Sequence, residues 1–205
     1  YDTYESASYT YTYGKNGKVA KEVYTFTDND GASKMVTTYA YDSKANLIKQ
    51  VGKSADGFSV TVIYAYDKQN RLIRENDAFT YSDGTKAKFA ETLTYDKNGF
   101  VTKDVVSSKY SDGSFTKDVR AYAYDKNGNR TKYVRTAADE FGTSKETIVY
   151  TYDKNGKCIK EVEAVADDSG YTSRSATVSA YNAKGLLTKR VVTHKTSEGY
   201  SSKNT

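Results

Sequence analysis

Two kinds of side chain that could do chemistry recur along this chain. Tyrosine rings stack on sugars and their hydroxyls form hydrogen bonds, while lysine and arginine bind anions. The chain holds 21 tyrosines and 31 lysines and arginines, but one histidine and one cysteine. A surface that combines aromatic rings with cations suits a polymer, either a glycan that stacks on tyrosine or an anionic cell-wall polymer. The candidate ligand face that we predict consists of Tyr95, Tyr122, Tyr124, Tyr150, Tyr152, Lys103, Lys132 and Lys160.

The alternative for these cations is structural, with each lysine stem packed over a neighbouring tyrosine ring in a cation–π contact. Acidic residues also recur at one position of the repeat and form a mostly acidic column. They are either paired catalytic carboxylates or partners in cross-strand ion pairs on a solvent-exposed face. Because the acidic residues repeat in several units, we favour charge pairing. The column consists of Glu22, Glu75, Asp104 and Glu161.

Catalytic and metal-binding chemistry lack the residues they need. His194 is the only histidine, so neither a zinc site nor a Ser-His-Asp triad is predicted. Cys158 occupies a position that is Val or Leu in other repeats, and we interpret it as an apolar core residue. The Asp-x-Asn-Gly segments at 96–99, 125–128 and 153–156 resemble the start of a calcium loop but lack its closing Glu, which indicates structural turns. We expect no enzymatic activity, no cofactor and no metal site.

These residues belong to a repeat that runs through residues 1–205, which we treat as one array. The repeats carry Tyr-x-Tyr-Asp, in full or with one or two positions changed, followed by a turn, usually an apolar residue, and a basic residue. A second turn that usually contains Gly completes the repeat. The full motif stands at residues 39–42, 64–67, 122–125 and 150–153. Runs of Val, Ile, Thr and Tyr between the turns have strand length, and such short connections permit only antiparallel neighbours. The anchoring tyrosines are Tyr13, Tyr41, Tyr66, Tyr95, Tyr124, Tyr152 and Tyr181.

The predicted fold class is therefore all-β: an antiparallel β-hairpin meander of roughly fourteen strands in seven repeats of about 28 residues. The strands form a single twisted or curled, elongated sheet. We interpret the segment from Tyr1 to Tyr13 as the second strand of an earlier hairpin. Residues 200–205 start a further strand and stop.

Turn chemistry predicts the pairing inside each hairpin. In the segment 153–157, a type I turn followed by Gly156 in the left-handed region gives a three-residue hairpin loop with a bulge. Continued alternation then places four columns of side chains on one face. They are the anchoring tyrosines, the tyrosines two residues before most of them (the second tyrosine column), the Lys or Arg eight residues after each (the basic column), and the valines two residues further in most repeats (the valine column). The acidic column falls on the opposite face. The predicted partners are Asp153 with Lys157, Tyr152 with Cys158, Tyr150 with Lys160, and Ile148 with Val162.

The pattern Tyr-x-Tyr-Asp-x-x-Gly-x-Leu resembles the YD (Rhs-type) repeats of bacterial secreted and cell-surface proteins, here as a longer-period variant. The segments 64–72 and 122–130 carry the resemblance best. Those repeats form β-hairpin spirals that make shells or surface scaffolds. The resemblance implies a non-enzymatic extracellular or cell-surface module, with an export signal absent from the sequence in hand.

Three functions follow as hypotheses. The first is a surface scaffold or adhesive module; the second is a binding module for extracellular polysaccharide or an anionic cell-wall polymer; the third is a shell fragment of an Rhs-type toxin. The net charge of +5 comes from mixed signs, so a nucleic-acid partner is not expected. No apolar run approaches membrane-spanning length, so no membrane insertion is expected. The expected partners are surface polymers or neighbouring domains, and edge-to-edge association with other sheets is open to the fold.

Overall fold

The computed structural model describes residues 6–28 and 31–205, and this part of the chain folds into fifteen strands without helices. The second turn of the first repeat, predicted at Asp30–Gly31, is described only from Gly31 onward, and the first five residues of the segment predicted as an N-terminal strand lie outside the described residues. The strands are β1 (Ser6–Tyr13), β2 (Val19–Asp28), β3 (Gly31–Tyr41), β4 (Leu47–Ser54), β5 (Ser59–Tyr66), β6 (Leu72–Thr80), β7 (Lys86–Tyr95), β8 (Val101–Tyr110), β9 (Phe115–Tyr124), β10 (Arg130–Asp139), β11 (Gly142–Tyr152), β12 (Cys158–Asp167), β13 (Thr172–Tyr181), β14 (Leu187–Thr196) and β15 (Ser201–Asn204).

These strands form one antiparallel sheet in strict chain order, β1 to β15, as the described residues define it. The prediction of an all-β, single-sheet hairpin meander is confirmed. The strand that starts after Tyr200 is the fifteenth, and it pairs with β14 over four residues, 201–204.

The chain is divided into two compact units. Unit 1 comprises Tyr1–Thr92 and Ser107–Ser114, and unit 2 comprises Leu93–Val106 and Phe115–Thr205. Strands β7 and β8 contribute to both, because the turn that joins them belongs to unit 2 and their other ends belong to unit 1.

The Tyr-Asp turns have the predicted three-residue form. Asp153 donates its N–H to the Lys157 carbonyl at 2.9 Å, and Gly156 donates to the Asp153 carbonyl at 3.0 Å. Gly156 has φ of 77°, the left-handed conformation that the turn requires and that glycine adopts without strain. The predicted partners Asp153–Lys157 and Tyr152–Cys158 are confirmed.

Besides the bulge predicted at Gly156, the strand that leaves this turn has a second β-bulge, which was not predicted. Tyr152 pairs with Cys158, but the next pair is Thr151 with Lys160, so Ile159 is an extra residue on β12. One extra residue shifts all later pairs by one, and side chains alternate with a period of two, so the rest of β12 presents the opposite face. The same shift occurs at Tyr13, Tyr41, Tyr66, Tyr124 and Tyr181.

The bulge makes the predicted pairs Tyr150–Lys160 and Ile148–Val162 wrong. Tyr150 instead lies opposite Glu161, and Ile148 opposite Glu163. The face predicted to hold tyrosines together with lysines and valines is therefore divided between the two sides of the sheet. The acidic column, predicted on the side away from the tyrosines, shares their side.

We call the two sides the tyrosine face and the lysine face. The tyrosine face holds both tyrosine columns and the acidic column, and the lysine face holds the basic and valine columns with the small Ala and Thr side chains. The tyrosine face is the more buried. The buried side chains of the described residues lie on it: Thr37, Val60, Val62, Ala87, Asp104 and Ser108.

One buried row of unit 1 illustrates how the tyrosine face packs. Thr37, Gly52, Val60, Phe79 and Ala87 are successive partners across five strands. A Cβ added at Gly52 would lie 2.5 Å from the Met35 side chain and 3.0 Å from that of Val60. Glycine therefore leaves room for its larger neighbours in this row.

Candidate functional site

Anchoring tyrosines at the ends of odd-numbered strands tie their repeats to the preceding ones. The Tyr152 hydroxyl donates to the carbonyl oxygen of Arg130 at 2.7 Å. The acceptor is the first residue of the preceding even-numbered strand, where the chain leaves its turn. Equivalent bonds join Tyr41 to Val19 (3.0 Å), Tyr66 to Leu47 (2.9 Å), Tyr124 to Val101 (3.0 Å) and Tyr181 to Cys158 (3.2 Å).

The tyrosine rings of the candidate ligand face lie together on the tyrosine face. Tyr124 stacks on Phe100 with ring centroids 4.9 Å apart, and Tyr150 lies 6.4 Å from Tyr152. Burial is the largest cause that raises the pKa of Tyr152. Tyr95, at the end of β7, has the equivalent position in its own hairpin. These side chains are half-buried components of the fold.

A cation does meet these rings, but it is not the predicted one. The Arg130 guanidinium carbon lies 5.1 Å from the Tyr150 ring centroid and 5.6 Å from that of Tyr133, and its Nη2 donates to the Tyr150 hydroxyl at 3.0 Å. Tyr133 in turn contacts Tyr122, with ring centroids 5.5 Å apart. Arginine thus occupies the aromatic face where lysine was predicted.

The three lysines of the candidate ligand face are on the other side of the sheet. Lys132 lies opposite Ala123 and Lys160 opposite Thr151. Lys103 precedes Asp104, whose carboxylate contacts Arg120 on the tyrosine face, so alternation puts Lys103 on the lysine face. The predicted groove of tyrosines and lysines is therefore wrong in its geometry. The alternative, lysines covering the tyrosine rings of their own hairpins, is wrong for the same reason.

One member of the acidic column in unit 2, Asp104, pairs with a cation. Asp104, 7% exposed, accepts a hydrogen bond from Arg120 Nη1 at 3.0 Å. Arg120 also contacts Asp118 at 3.3 Å, and Asp118 accepts from Arg135 Nε at 2.7 Å. The predicted charge pairing is confirmed here, although Asp104 is buried rather than wet.

In unit 1 the same column brings carboxylates together. Glu75 lies directly opposite Glu91. Burial, followed by repulsion from Asp77 and Glu91, raises the pKa of the Glu75 carboxyl. Burial also raises the pKa of Asp77. Charge pairing is therefore the wrong interpretation for Glu75.

The predicted structural turns are confirmed by where their carboxylates point. Asp153 Oδ1 accepts from the backbone N–H groups of Asn155 and Lys157 at 2.8 and 2.9 Å. Asp125 makes the same bonds to Asn127 and Asn129. Within residues 6–28 and 31–205, no group of three His, Cys, Asp or Glu side chains is arranged to hold a metal ion.

The two residues singled out as unique sit on the tyrosine face. Cys158 is half-buried opposite Tyr152, as expected for a packed position. His194 Nδ1 lies 2.8 Å from the Ser175 hydroxyl oxygen, and its ring is 5.8 Å from that of Tyr200. The serine–histidine contact was missed because it depends on the bulge-shifted register of β13 with β14.

The lysine face carries strand cations without strand carboxylates. Cross-strand partners share a side of the sheet, so the registers assign each side chain. Every Asp and Glu side chain that the structure describes within a strand falls on the tyrosine face. The exposed cations of the lysine face are Lys21, Lys34, Lys49, Lys53, Arg74, Lys86, Lys88 and Lys109 in unit 1, and Lys103, Lys117, Lys132, Lys145, Lys160, Arg174, Lys189, Lys195 and Lys203 in unit 2.

Unit 2 forms a concavity of about 860 Å³ on this face. Its centre is the row of partners Thr147, Ala164, Arg174, Lys195 and Ser201. Sequence reasoning missed it, because without the bulge Arg174 would lie opposite His194 instead of Lys195. The sequence carries no signal for the extra residue of β14, Thr188, because no glycine or other turn residue marks it.

Comparison with known proteins adds little to this description. No protein-family model matches the chain, and no curated protein matches it. Among solved structures, a porin-like protein from Bacteroides uniformis ATCC 8492 aligns over 98% of this chain and 88% of its own, at 12% identity and a TM-score of 0.35. In the part of the chain that the structure describes, no helix has the length and apolarity to cross a membrane.

Proposed function

We propose that this protein is a non-enzymatic module of the cell exterior, a β-hairpin repeat scaffold that holds neighbouring domains or makes adhesive contacts. The observation that carries the proposal is the ladder of tyrosine hydroxyls on the carbonyl oxygens of preceding repeats. The residues that recur most faithfully are engaged with the backbone. Their repetition is therefore accounted for by construction of the sheet. The resemblance to YD repeats supports the extracellular location.

A second set of bonds fastens the opposite ends of the hairpins. Ser111 donates its N–H to the Lys86 carbonyl at 2.9 Å, and its hydroxyl accepts from the Lys86 N–H at 3.1 Å. Equivalent backbone bonds join Asp168 to Thr143 and Ser197 to Thr172. Where these bonds occur, successive repeats are hydrogen-bonded at both ends of their hairpins as well as along their strands, which suits a mechanically stable scaffold.

Truncation tests the scaffold proposal. In a repeat array each unit contacts its neighbours, so stability is a sum of unit and interface terms. Removing β13–β15 should lower the free energy of unfolding by an increment and leave the remaining strands folded, as measured by urea unfolding and circular dichroism. Collapse of the whole fold after this truncation would contradict the proposal.

The charge segregation favours a second candidate, a binding module for extracellular polysaccharide or anionic cell-wall polymer. The tyrosines of the predicted groove are on the other side of the sheet, so the lysine face alone would make this contact. An exposed surface of one sign attracts a polymer of the opposite sign and gives binding that weakens with salt. This candidate is compatible with the first, since adhesive contact needs a surface that attracts.

A further inference from the structure

We propose that the concavity of unit 2 binds an acidic glycan polymer at its sulfate, phosphate or carboxylate groups, with Arg174, Lys195 and Lys145 as the anion-binding residues. The proposal rests on the function proposed above and gives that surface a site and a ligand class. All three cations line the concavity and are exposed.

Two like charges lie directly opposite each other within the site. Arg174 and Lys195 are direct cross-strand partners on β13 and β14. Like charges in directly opposite positions destabilise a sheet. Elsewhere in unit 2 a similar pair, Arg120 and Arg135, is bridged by the Asp118 carboxylate. The lysine face offers Arg174 and Lys195 no strand carboxylate, so an anion from outside would relieve their repulsion.

The lining residues suit a glycan. The guanidinium of Arg174 presents a planar fork of donors that matches the oxygens of a carboxylate, sulfate or phosphate. Hydroxyls of Thr147, Thr193 and Ser201 line the same surface and can exchange hydrogen bonds with sugar hydroxyls. Small side chains such as Ala164 leave the space open.

The same lining disfavours a nucleic acid. Proteins that bind single strands without sequence preference stack bases on aromatic side chains. On the lysine-face rows of the concavity the side chains are Lys, Arg, Thr, Ser and Ala.

The Asp168 carboxylate, in the turn between β12 and β13, does not neutralise these cations by pairing with them. It accepts instead from the Thr143 N–H at 2.8 Å.

Binding of dextran sulfate, with unsulfated dextran as the uncharged match, tests the proposal on the full chain. Polygalacturonate tests carboxylate in place of sulfate, and oligothymidylate of equal charge tests the nucleic-acid alternative. The site variant is Arg174→Gln with Lys195→Gln. The control is Lys117→Gln with Lys189→Gln, which removes two exposed cations of the same unit and face outside the concavity.

We expect dextran sulfate or polygalacturonate to bind and dextran not to bind. The site variant should weaken binding about tenfold or more, as loss of charge-assisted hydrogen bonds does, and the control should change it less than about threefold. Thermal melting should show that the site variant is at least as stable as the parent, because it removes a repulsion. If it melts lower, Lys145→Gln alone replaces it in the binding comparison, with a smaller expected loss.

Three results would overturn the proposal: no binding to either acidic glycan, equal losses in the site and control variants, or oligothymidylate binding as tight as that of the glycans. Each of these leaves the truncation result untouched. Failure of the site is therefore distinguishable from failure of the scaffold.

Discussion

A single oxygen distinguishes tyrosine from phenylalanine. That oxygen explains why tyrosine ends the strands β3, β5, β9, β11 and β13. The ring fills space on the tyrosine face, which either residue could do. The hydroxyl satisfies a carbonyl where the preceding repeat leaves its turn, which phenylalanine cannot do. A backbone carbonyl left without a partner at a half-buried position lowers stability.

Tyr152→Phe is therefore expected to lower the free energy of unfolding of unit 2 by about 1 kcal/mol, the usual net value of one hydrogen bond. Tyr200→Phe is the control in the same unit, because the Tyr200 ring is 60% exposed. It should change stability by less than about 0.5 kcal/mol. Urea unfolding followed by tyrosine fluorescence measures both. Equal effects would remove the hydroxyl from the explanation.

Asp77 and Asp83 in unit 1 should respond to pH with opposite signs. Burial raises the pKa of Asp77 above its ordinary 3.8. Its ionised form therefore lowers stability at neutral pH, and this penalty disappears as pH falls through the raised pKa toward 3.8. Hydrogen bonds from the Thr85 side chain and backbone lower the pKa of Asp83 below 3.8. Its contribution is present at neutral pH and is lost as pH falls below 3.8.

Asp77→Asn is thus expected to raise stability at neutral pH, and Asp83→Asn to lower it. Urea unfolding at about pH 7 and about pH 3 measures both differences. The Asp77→Asn gain should disappear at the lower pH, because the Asp77 carboxyl is neutral there, and the Asp83→Asn loss should decline as pH falls below 3.8. A neutral-pH loss in Asp77→Asn would contradict this account of the carboxylates on the tyrosine face.

At the scale of the hairpin, turns and bulges decide which side chains share a face. The Tyr-Asp turn needs a residue in the left-handed conformation. That residue is glycine in most repeats, but it is Ala45 with φ of 67° and Asn70 with φ of 68° in two of them. A Cβ at Gly128, where φ is 85°, would lie 2.9 Å from the Phe100 ring. Gly170, in the turn that joins β12 to β13, has a similar φ of 88° but nothing within 4 Å of its Cβ position.

Gly128→Ala should cost more stability than Gly170→Ala in the same unit. Both substitutions carry the backbone strain of alanine at positive φ, roughly 1 kcal/mol. Gly128→Ala must also displace Phe100 from its stack on Tyr124. Thermal melts of the two variants isolate this packing contribution as their difference. If the two variants melt alike, Phe100 accommodates the methyl group and its stack contributes little.

The hairpin is also where prediction from sequence succeeded and then failed. Asp153, Asn155 and Gly156 determine the turn through local bonds and φ, so the pair Tyr152–Cys158 could be predicted. The extra residue Ile159 is marked by no glycine or other turn residue. Strand alternation was therefore carried past it, and the predicted assignment of Lys160 to the tyrosine face is wrong. Where the extra residue is Thr131 or Thr188, its hydroxyl donates to the partner-strand carbonyl of Ala123 or Ala180. That bond was visible only in the structure.

At the scale of the whole molecule, the sheet separates its charges by face. Strand carboxylates sit on the half-buried tyrosine face beside arginines and tyrosines, and the lysine face carries exposed cations without strand carboxylates. Composition could not predict this separation, because the net charge of +5 averages both faces. The all-β repeat architecture, by contrast, followed from the period and the strand-length runs.

Added salt should therefore raise the melting temperature. Cations on alternate strands are about 10 Å apart, and exposed charges at that distance are largely screened at about 0.1 M ionic strength. The buried Asp104–Arg120 pair is screened much less, so the gain on the lysine face exceeds the loss on the tyrosine face. Thermal melts between about 0.02 and 0.5 M sodium chloride measure the trend. It should be weaker in the Arg174→Gln, Lys195→Gln variant, and a fall in melting temperature with salt would contradict the argument.

The tyrosine ladder also has a direction. In each of these tyrosine–carbonyl bonds, the donor hydroxyl belongs to the later repeat and the acceptor carbonyl to the earlier one. The ribosome synthesises the acceptor residue first, so the preceding hairpin is complete before the next tyrosine leaves the ribosome. Each newly made hairpin can dock on the one before it, and contacts form between segments close in time as well as in sequence. The array can thus grow one hairpin at a time, in the order in which it is synthesised.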